Sequence, residues 1–557
     1  MGLSTIISSS LSGLQAVQAE IQSRSDNISN ASNTNYADRN PVTVSLNTNM
    51  VTATIQRAAD QGLQNQYLNA NSLSSGAAAK TGYLQQINSV LGTTQSTPYL
   101  QQSMDDFTSS WQAFETDTSD TTAESQVVAT GQSLAQNISQ TSQSLIQMGI
   151  DTSNSVTSMV TNLNTNLSQL DAINKELNAN PLAATTQPDL LDTRDSLVSS
   201  ISSLVGVNVI THSDGSVALY TQNGTALVDK TAAQFSWNNP TGGTQAWLSL
   251  SPPAPSGTSA PGMNNAFVGG TLGAALDFLN PSVSSTDPNV GTLAKAQAQL
   301  NIVASQLADN VSGTFGGAYY NSTPTQTTDL QGGTAAGPTP AGTAMSSFFT
   351  IDNGNPATQS PAASIQINPA LANGTATVMG QAATAVVAAL TSTNRSLTIN
   401  QTGTTTNGSA SITGLSQNSG LMPGMTVSGT GIPAGTTILS VSAANGTTIT
   451  LSNAATAGAA TALTFGLKDP NITNVSYSGL TAAIATYQTT SQADAATSQT
   501  EMTTTTQTLQ TRLTGEVGVN MDSELAQLTV LQNAYSANAK VISTVQSMFD
   551  TLMGIGT

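Results

Sequence analysis

Cysteine is absent from the 557 residues, which excludes a disulfide framework, a thiolate metal site and a cysteine nucleophile. Histidine occurs once, at His212, so a histidine-rich zinc site is excluded as well. Charged residues make up only 8% of the chain and aromatics only 4%, their place being taken by Ser, Thr, Asn, Gln, Ala and Gly. Bases are scarcer than acids: 12 Lys+Arg stand against 30 Asp+Glu, for a net charge of −18. Such a surface repels phosphate backbones and anionic headgroups, which argues against nucleic-acid or lipid binding as a main activity. No apolar run reaches the roughly 18 residues that a membrane span needs, so no membrane insertion is expected. Residues 1–10 have neither a basic n-region nor a continuous apolar h-region, so export by the general signal-peptide route is not expected either.

What the chain does have is periodicity at both ends. Ile7, Leu14, Ile21 and Ile28 recur every seven residues, with Leu3 and Val17 at the second core position and Leu11 beside it. Ser10 and Arg24 are weak members of this stripe. At the other end Met521, Leu528, Tyr535, Ile542 and Phe549 are spaced by seven, and Leu525, Leu531, Val545, Leu552 and Met553 widen the apolar face. Neither segment buries its stripe alone. The two can pack on each other or on copies from other subunits, or each can pack into a globular domain of its own. Periodicity leaves these outcomes open.

Between the ends the pattern changes twice. From about Leu63 to Leu204 it is helical, with Leu84/Ile87/Leu91, Leu134/Ile138/Leu145/Met148 and Leu163/Leu167/Leu170/Ile173/Leu177 as successive faces. Breakers are expected near Gly92, Pro98, Gly149, Pro181 and Pro188. After Gly206 a β-meander is predicted: Val207, Val209 and Thr211 alternate, Asp214-Gly215 turns, Val217, Leu219 and Thr221 alternate, and Asn223-Gly224 turns again. Residues 237–265 read as loop, and a helix is expected over Leu293–Val311. From about Ser396 to Gly466 the chain is rich in Thr, Gly, Ser and Val and reads as a small inserted all-β module. Leu480 to Leu513 reads as a long returning helix in spite of its many threonines.

The expected class is α+β multidomain: paired N- and C-terminal coiled-coil helices, an elongated helical bundle, and outer all-β domains. The expected division is 1–50 with 515–557 as a terminal coiled coil, and 51–205 with about 270–320 and 470–514 as the bundle. A mainly β outer domain covers 206–395, and the module covers 396–468.

Little of this carries reactive chemistry. His212 sits beside the Asp214-Gly215 turn, where a solvent-facing side chain is expected. Asp189, Asp192 and Asp195 are spaced as a paired-acid site could be, but acids favour the first turn of a helix and Arg194 offers a local partner. No Walker loop or dinucleotide fingerprint is present. The reading is of a non-enzyme with no cofactor.

The segment Ser25-Asp26-Asn27-Ile28-Ser29-Asn30-Ala31-Ser32-Asn33-Thr34-Asn35-Tyr36 closely resembles the N-terminal signature of the flagellar rod, hook and hook-associated proteins. Asn27, Asn30 and Tyr36 match its asparagines and tyrosine, and Asn35 stands where that family has Gly. Glu524-Leu525 and the run from Gln532 to Thr544 resemble the matching C-terminal signature. Three internal segments, Asp189–Asp195 with Leu204–Val207, Gly273–Phe278 and Phe348–Ile351, are similar to the hook-associated members rather than to ordinary hook or distal-rod proteins. The 396–466 insert lies outside the common family core.

The resemblance implies that the terminal helices pair and pack on neighbouring subunits around the flagellar axis. It assigns subunit assembly to Ile7, Leu14, Ile21, Asn27, Ile28, Asn30, Tyr36, Leu525, Leu528, Tyr535, Ile542 and Phe549. It implies an extracellular place at the hook–filament junction, reached by the flagellar type III route. The implied partners are the hook protein, a second junction protein, further copies of the chain, and an export chaperone on about Met521–Met553. Another axial role, in hook or distal rod, and an extracellular adhesin or fibre are the alternatives.

Overall fold

A helix of 59 residues, α4 (Thr121–Ala179), is the spine of the structure. At 1.5 Å per residue it is roughly 90 Å long. Asp120 starts it, its carboxylate accepting from the Thr122 amide at 2.7 Å. The computed structural model describes residues 3–34, 36–46, 50–92, 99–180, 187–238, 247–250, 267–280, 291–308, 320–321, 348–351, 360–375, 377–378, 380, 383–415, 420–441, 448–467 and 472–555. Gly149 does not break α4: a Cβ there would lie 3.0 Å from Leu293 Cδ2, so its glycine serves helix packing instead.

Ahead of the spine come α1 (Leu3–Asn30), a hairpin of β1 (Arg39–Leu46) and β2 (Met50–Arg57), α2 (Gln61–Leu91) and α3 (Tyr99–Thr116). The hairpin falls where the sequence showed no strand signal. After the spine, α5 (Pro188–Leu204) begins with its proline at the first turn, as the missing amide there allows. The meander follows as predicted, with β3 (Val207–Thr211), β4 (Val217–Thr221) and β5 (Ala226–Val228) paired in that order. Part of the expected 237–265 loop is strand: β6 (Phe235–Asn238) pairs with β7 (Trp247–Leu250), and 239–246 and 251–265 lie outside the described residues. Next are α6 (Gly270–Leu279) and α7 (Thr292–Ala308).

The next stretch, expected to be mainly β, holds helix as well as strand. Two-residue β8 (Tyr320–Asn321) pairs with β11 (Thr377–Val378), and β9 (Phe349–Ile351) with β10 (Ile365–Ile367). Short helices α8 (Pro361–Ser364), α9 (Pro369–Ala372) and α10 (Ala383–Thr391) alternate with them. Prolines at the first turns of α8 and α9 start those helices.

One core lies between α3, α4 and the β9–β10 region. Phe107, Trp111, Phe114, Phe348 and Phe349 are all buried, with the Phe107 and Phe348 rings 5.5 Å apart and Trp111 edge-on to Phe114 at 6.0 Å. The Phe348-Phe349 pair is thereby the clamp that holds the outer region on the spine. Gly131 makes room for it: a Cβ would sit 2.5 Å from Phe348 Cε1 and 3.1 Å from Phe107 Cε2. Gly131→Val is therefore expected to lower stability by about 2–3 kcal/mol through overpacking, read as a fall in thermal midpoint. The second core joins α2, α4, α5 and α6 to the meander through Leu68, Val156, Leu163, Ile201, Leu219 and Leu272.

The returning helix α11 (Tyr477–Val517) runs antiparallel along α2. Its threonines fit because their hydroxyls bond the carbonyl one turn back, as Thr500 to Ala496 and Thr504 to Thr500, both at 2.9 Å. α12 (Met521–Ile555) follows after a break at Gly518, where any Cβ would run into the Thr514 carbonyl oxygen.

The inserted module closes on itself. β12 (Thr398–Thr405), β17 (Ala459–Gly466) and β14 (Thr426–Gly429) form one sheet, in that order. β13 (Ser411–Ile412), β16 (Ile449–Leu451) and β15 (Ile438–Val441) form the other. Bridges Thr404↔Thr413 and Thr426↔Thr437 join the sheets at both sides, completing a ring of six strands. Ile412, Val427, Ile449, Leu463 and Phe465 fill it. A ring leaves no sheet edge to template aggregation. An isolated 396–468 fragment is expected to unfold cooperatively in urea, and a fragment without a transition would show that the ring needs its host.

Candidate functional site

Two helices from opposite ends of the chain meet here. α1 and α12 lie antiparallel, with Arg24 against Glu524 and Gly13 against Asn538. The sevenfold stripe and the position three residues on define the seam. Glu524, Leu531, Asn538 and Val545 occupy that second position, two of them polar. Glu524 and Arg24 are both buried, and Arg24 Nη1 donates to Glu524 Oε1 at 2.7 Å. In a seam of this kind a single polar pair fixes register at a cost in stability.

Asn27 is the hub beside that pair. Its Nδ2 donates to Glu524 Oε2 at 3.1 Å, to Asp38 Oδ1 at 2.6 Å and to the Arg39 carbonyl at 3.2 Å. Its Oδ1 accepts from the Tyr36 hydroxyl at 2.8 Å and the Arg39 amide at 3.2 Å. One buried amide thus ties α1, the chain after it and α12 together, and only an amide both donates and accepts in this way. Burial, partly offset by the Arg39 charge, pushes the Tyr36 hydroxyl above its usual range, so it stays protonated and keeps donating. The Arg39 guanidinium lies over the Tyr36 ring at 4.4 Å.

From Arg39 the contacts pass to α5. Arg39 Nη2 donates to Asp189 and, at 2.9 Å, to Asp192 Oδ2. Arg57 Nε donates to Asp192 Oδ1 and its Nη2 to Asp195 Oδ2, each at 2.7 Å. Arg194 also bonds Asp195, at 2.6 Å, and donates to the Gly215 carbonyl. The three acids that the spacing grouped are therefore a clasp for the hairpin, and Arg194 is only one of their partners. Burial works to lower the Arg39 pKa, and its bonds to Asp189 and Asp192 outweigh that and raise it. Four of the six arginines in the chain, Arg24, Arg39, Arg57 and Arg194, are spent on this joint. Asp192→Asn weakens two of these bridges at once. It is expected to cost about 1–3 kcal/mol and to speed amide exchange in 39–57.

The twelve predicted assembly residues divide by surroundings. Asn27 and Tyr36 are buried and bonded to each other. Ile7, Leu14, Ile21, Ile28, Leu528 and Ile542 are half-buried between the helices. Asn30 bonds the Asp26 carbonyl at 2.9 Å, within its own helix end. Leu525, Tyr535 and Phe549 stay 48%, 39% and 44% exposed. Arg39, Arg57, Asn538 and the Glu524–Arg24 pairing went unread in the sequence. One signal was present: an acid and a base each stand at a seam position of the two stripes.

His212 is exposed, as expected, with its amide bonded to the Ser216 carbonyl at 2.8 Å. The Asp214 carboxyl is held below its usual range by the Ser216 hydroxyl. Among the described residues no group of three or more His, Asp or Glu is placed to hold a metal, and no helix is long and apolar enough to cross a membrane.

Residues 84–316 match the flagellar hook-associated protein FlgK helical domain, and residues 516–555 match the flagellar basal body rod FlgEFG protein C-terminal. In these two segments the chain is similar to the flagellar hook-associated and rod-type axial proteins. It is similar to flagellar hook-associated protein 1 of Escherichia coli, 27% identical over 252 residues, which are 42% of this chain and 44% of that protein. It is 27% identical over 313 residues to the Salmonella typhimurium protein of the same name, covering 53% of this chain and 55% of the relative. The Bacillus subtilis counterpart is 26% identical over 234 residues, 39% and 46% of the two chains. The chain thus spans about half the length of the curated relatives it matches. The flagellar hook junction protein FlgK from Burkholderia pseudomallei aligns in three dimensions at a TM-score of 0.45 and 16% identity, over 80% of this chain and 99% of that one. The rod-type C-terminal match falls on α12, and the helical-domain match includes the whole spine.

Proposed function

We propose that the chain is a structural subunit of the bacterial flagellum, placed at the junction of hook and filament and built in through its terminal helices. The observation that carries this reading is the apolar surface that α1 leaves uncovered on α12, on the stripe and beside it. Met521, Leu525, Val530, Tyr535, Val541, Met548, Phe549 and Met553 are all between 39% and 72% exposed. Burying each such side chain stabilises by roughly 1.5–3 kcal/mol. A helix with α1 on one side and eight bare apolar residues elsewhere is built to meet further helices. Those are supplied by neighbouring copies, by the hook protein below and by a second junction protein above.

In this reading the chain leaves the cell by the flagellar type III route, and the same bare face of α12 is what an export chaperone covers beforehand. The ionic clasp on α5 then holds the terminal pair at a set angle to the bundle, so that load passes between them. Deleting the gene tests the placement. Electron microscopy is expected to show hooks without filaments, with flagellin in the medium. Cells lacking hooks altogether would assign the chain to rod or hook, and normal filaments would overturn the flagellar reading.

A further inference from the structure

Sulfur occurs in this chain only as 14 methionines, and among the described residues the exposed ones fall on one helix. Met104, Met148 and Met425 are buried, and Met159, Met422 and Met502 are half-buried. The exposed methionines among the described residues are Met521, Met548 and Met553, at 46%, 51% and 72%, and all three are on α12. Counted on the sevenfold stripe, Met521 is on the stripe itself, while Met548 and Met553 flank it on either side. They therefore sit at the two ends of α12, Met521 near Leu525 and Met548 and Met553 near Phe549.

We propose that these three methionines are an oxidant-sensitive modification site that governs whether the subunit can assemble. The inference rests on the reading that other subunits cover α12. The reactant is a hydroperoxide, with hydrogen peroxide the simplest. A sulfur lone pair attacks the peroxide, an S–O bond forms, the O–O bond breaks and water leaves. The sulfur is oxidised by two electrons and the peroxide reduced by two. The product replaces a pliable apolar thioether by a polar sulfoxide with a strong acceptor oxygen. On a free subunit that oxygen is solvated at no cost. In a closed interface it must lose water, and the exposed Leu525, Val530, Val541 and Phe549 of this helix offer it no donor. With no cysteine to react first, these are the sulfurs that an external oxidant reaches most readily among the described residues. Once assembled, the same face is shielded, so the site acts on free subunits and spares built structures.

The test uses the purified full-length chain, treated with hydrogen peroxide and mapped by peptide mass spectrometry, then added to hooks isolated from cells lacking the gene. Oxidation is expected at 521, 548 and 553 before 104, 148 and 425. Oxidised chain is expected to bind hooks at least tenfold more weakly, with its helical circular dichroism unchanged. The M521L/M548L/M553L variant is expected to bind as untreated chain does and to keep binding after peroxide. Undiminished binding by oxidised chain, or equal peroxide sensitivity in the triple variant, overturns the proposal. Failure of untreated chain to bind hooks overturns the assembly reading itself, and the gate with it.

Discussion

Glu524→Ala is expected to loosen α12 from α1, at a cost of about 3–5 kcal/mol. The glutamate is 3% exposed and its two oxygens face Arg24 Nη1 at 2.7 Å and Asn27 Nδ2 at 3.1 Å. Removing it leaves a guanidinium charge in a buried seam, with the Asn40 side chain, at 3.3 Å from Nη2, as its remaining acceptor among the described residues. The nearby Arg24 Nε already has no partner. Amide exchange should rise across α12 and the second half of α1, and stay unchanged in the spine. The double variant Arg24→Leu with Glu524→Leu is expected to recover most of that stability, because a packed apolar pair replaces a charge pair without burying a lone ion. If the single variant exchanges no faster than the parent, the pair is not what holds the two ends together.

The second large effect falls on assembly and spares the fold. Leu525→Asp with Phe549→Asp is expected to leave the thermal midpoint nearly unchanged, since both side chains are about half exposed in the free chain. In a closed interface each carboxylate would lose its water without a cation to meet it, at several kcal/mol apiece. Association should fall by at least a thousandfold, which is about 4 kcal/mol. Cells carrying the variant are expected to be non-motile on soft agar and to shed flagellin. Wild-type motility together with normal filaments would mean that this face of α12 is not an interface.

Long-period patterns made much of the architecture legible. A stripe every seven residues marked α1 and α12, and the turn dipeptides Asp214-Gly215 and Asn223-Gly224 marked the meander strand by strand. The threonine-rich α11 was legible in spite of its weak propensity, because packing on α2 and back-bonded hydroxyls outweigh it. What stayed hidden depends on pairing across hundreds of residues. The β1–β2 hairpin, with strands of eight residues each, is held through Arg39 and Arg57, whose partners lie 135 to 153 residues onward. The burial of Glu524 is set by Arg24, 500 residues away. Gly149 shows the opposite error: a local breaker signal overruled by a neighbour, Leu293, that local reasoning does not see. Within the joint, Asn27 and Tyr36 were legible as a motif, but not the division of α12 into a covered and a bare side.

The ring of six strands has a consequence for engineering. Its first and last strands are direct neighbours, Thr398 opposite Gly466, so the host chain leaves and re-enters at points only about 5 Å apart. The path of the host is therefore indifferent to what lies between them. Any compact domain whose own ends are adjacent could be spliced in at 397–467, a foreign epitope or an enzyme included, without altering the backbone on either side. The position is a ready socket for displaying cargo on whatever this chain builds.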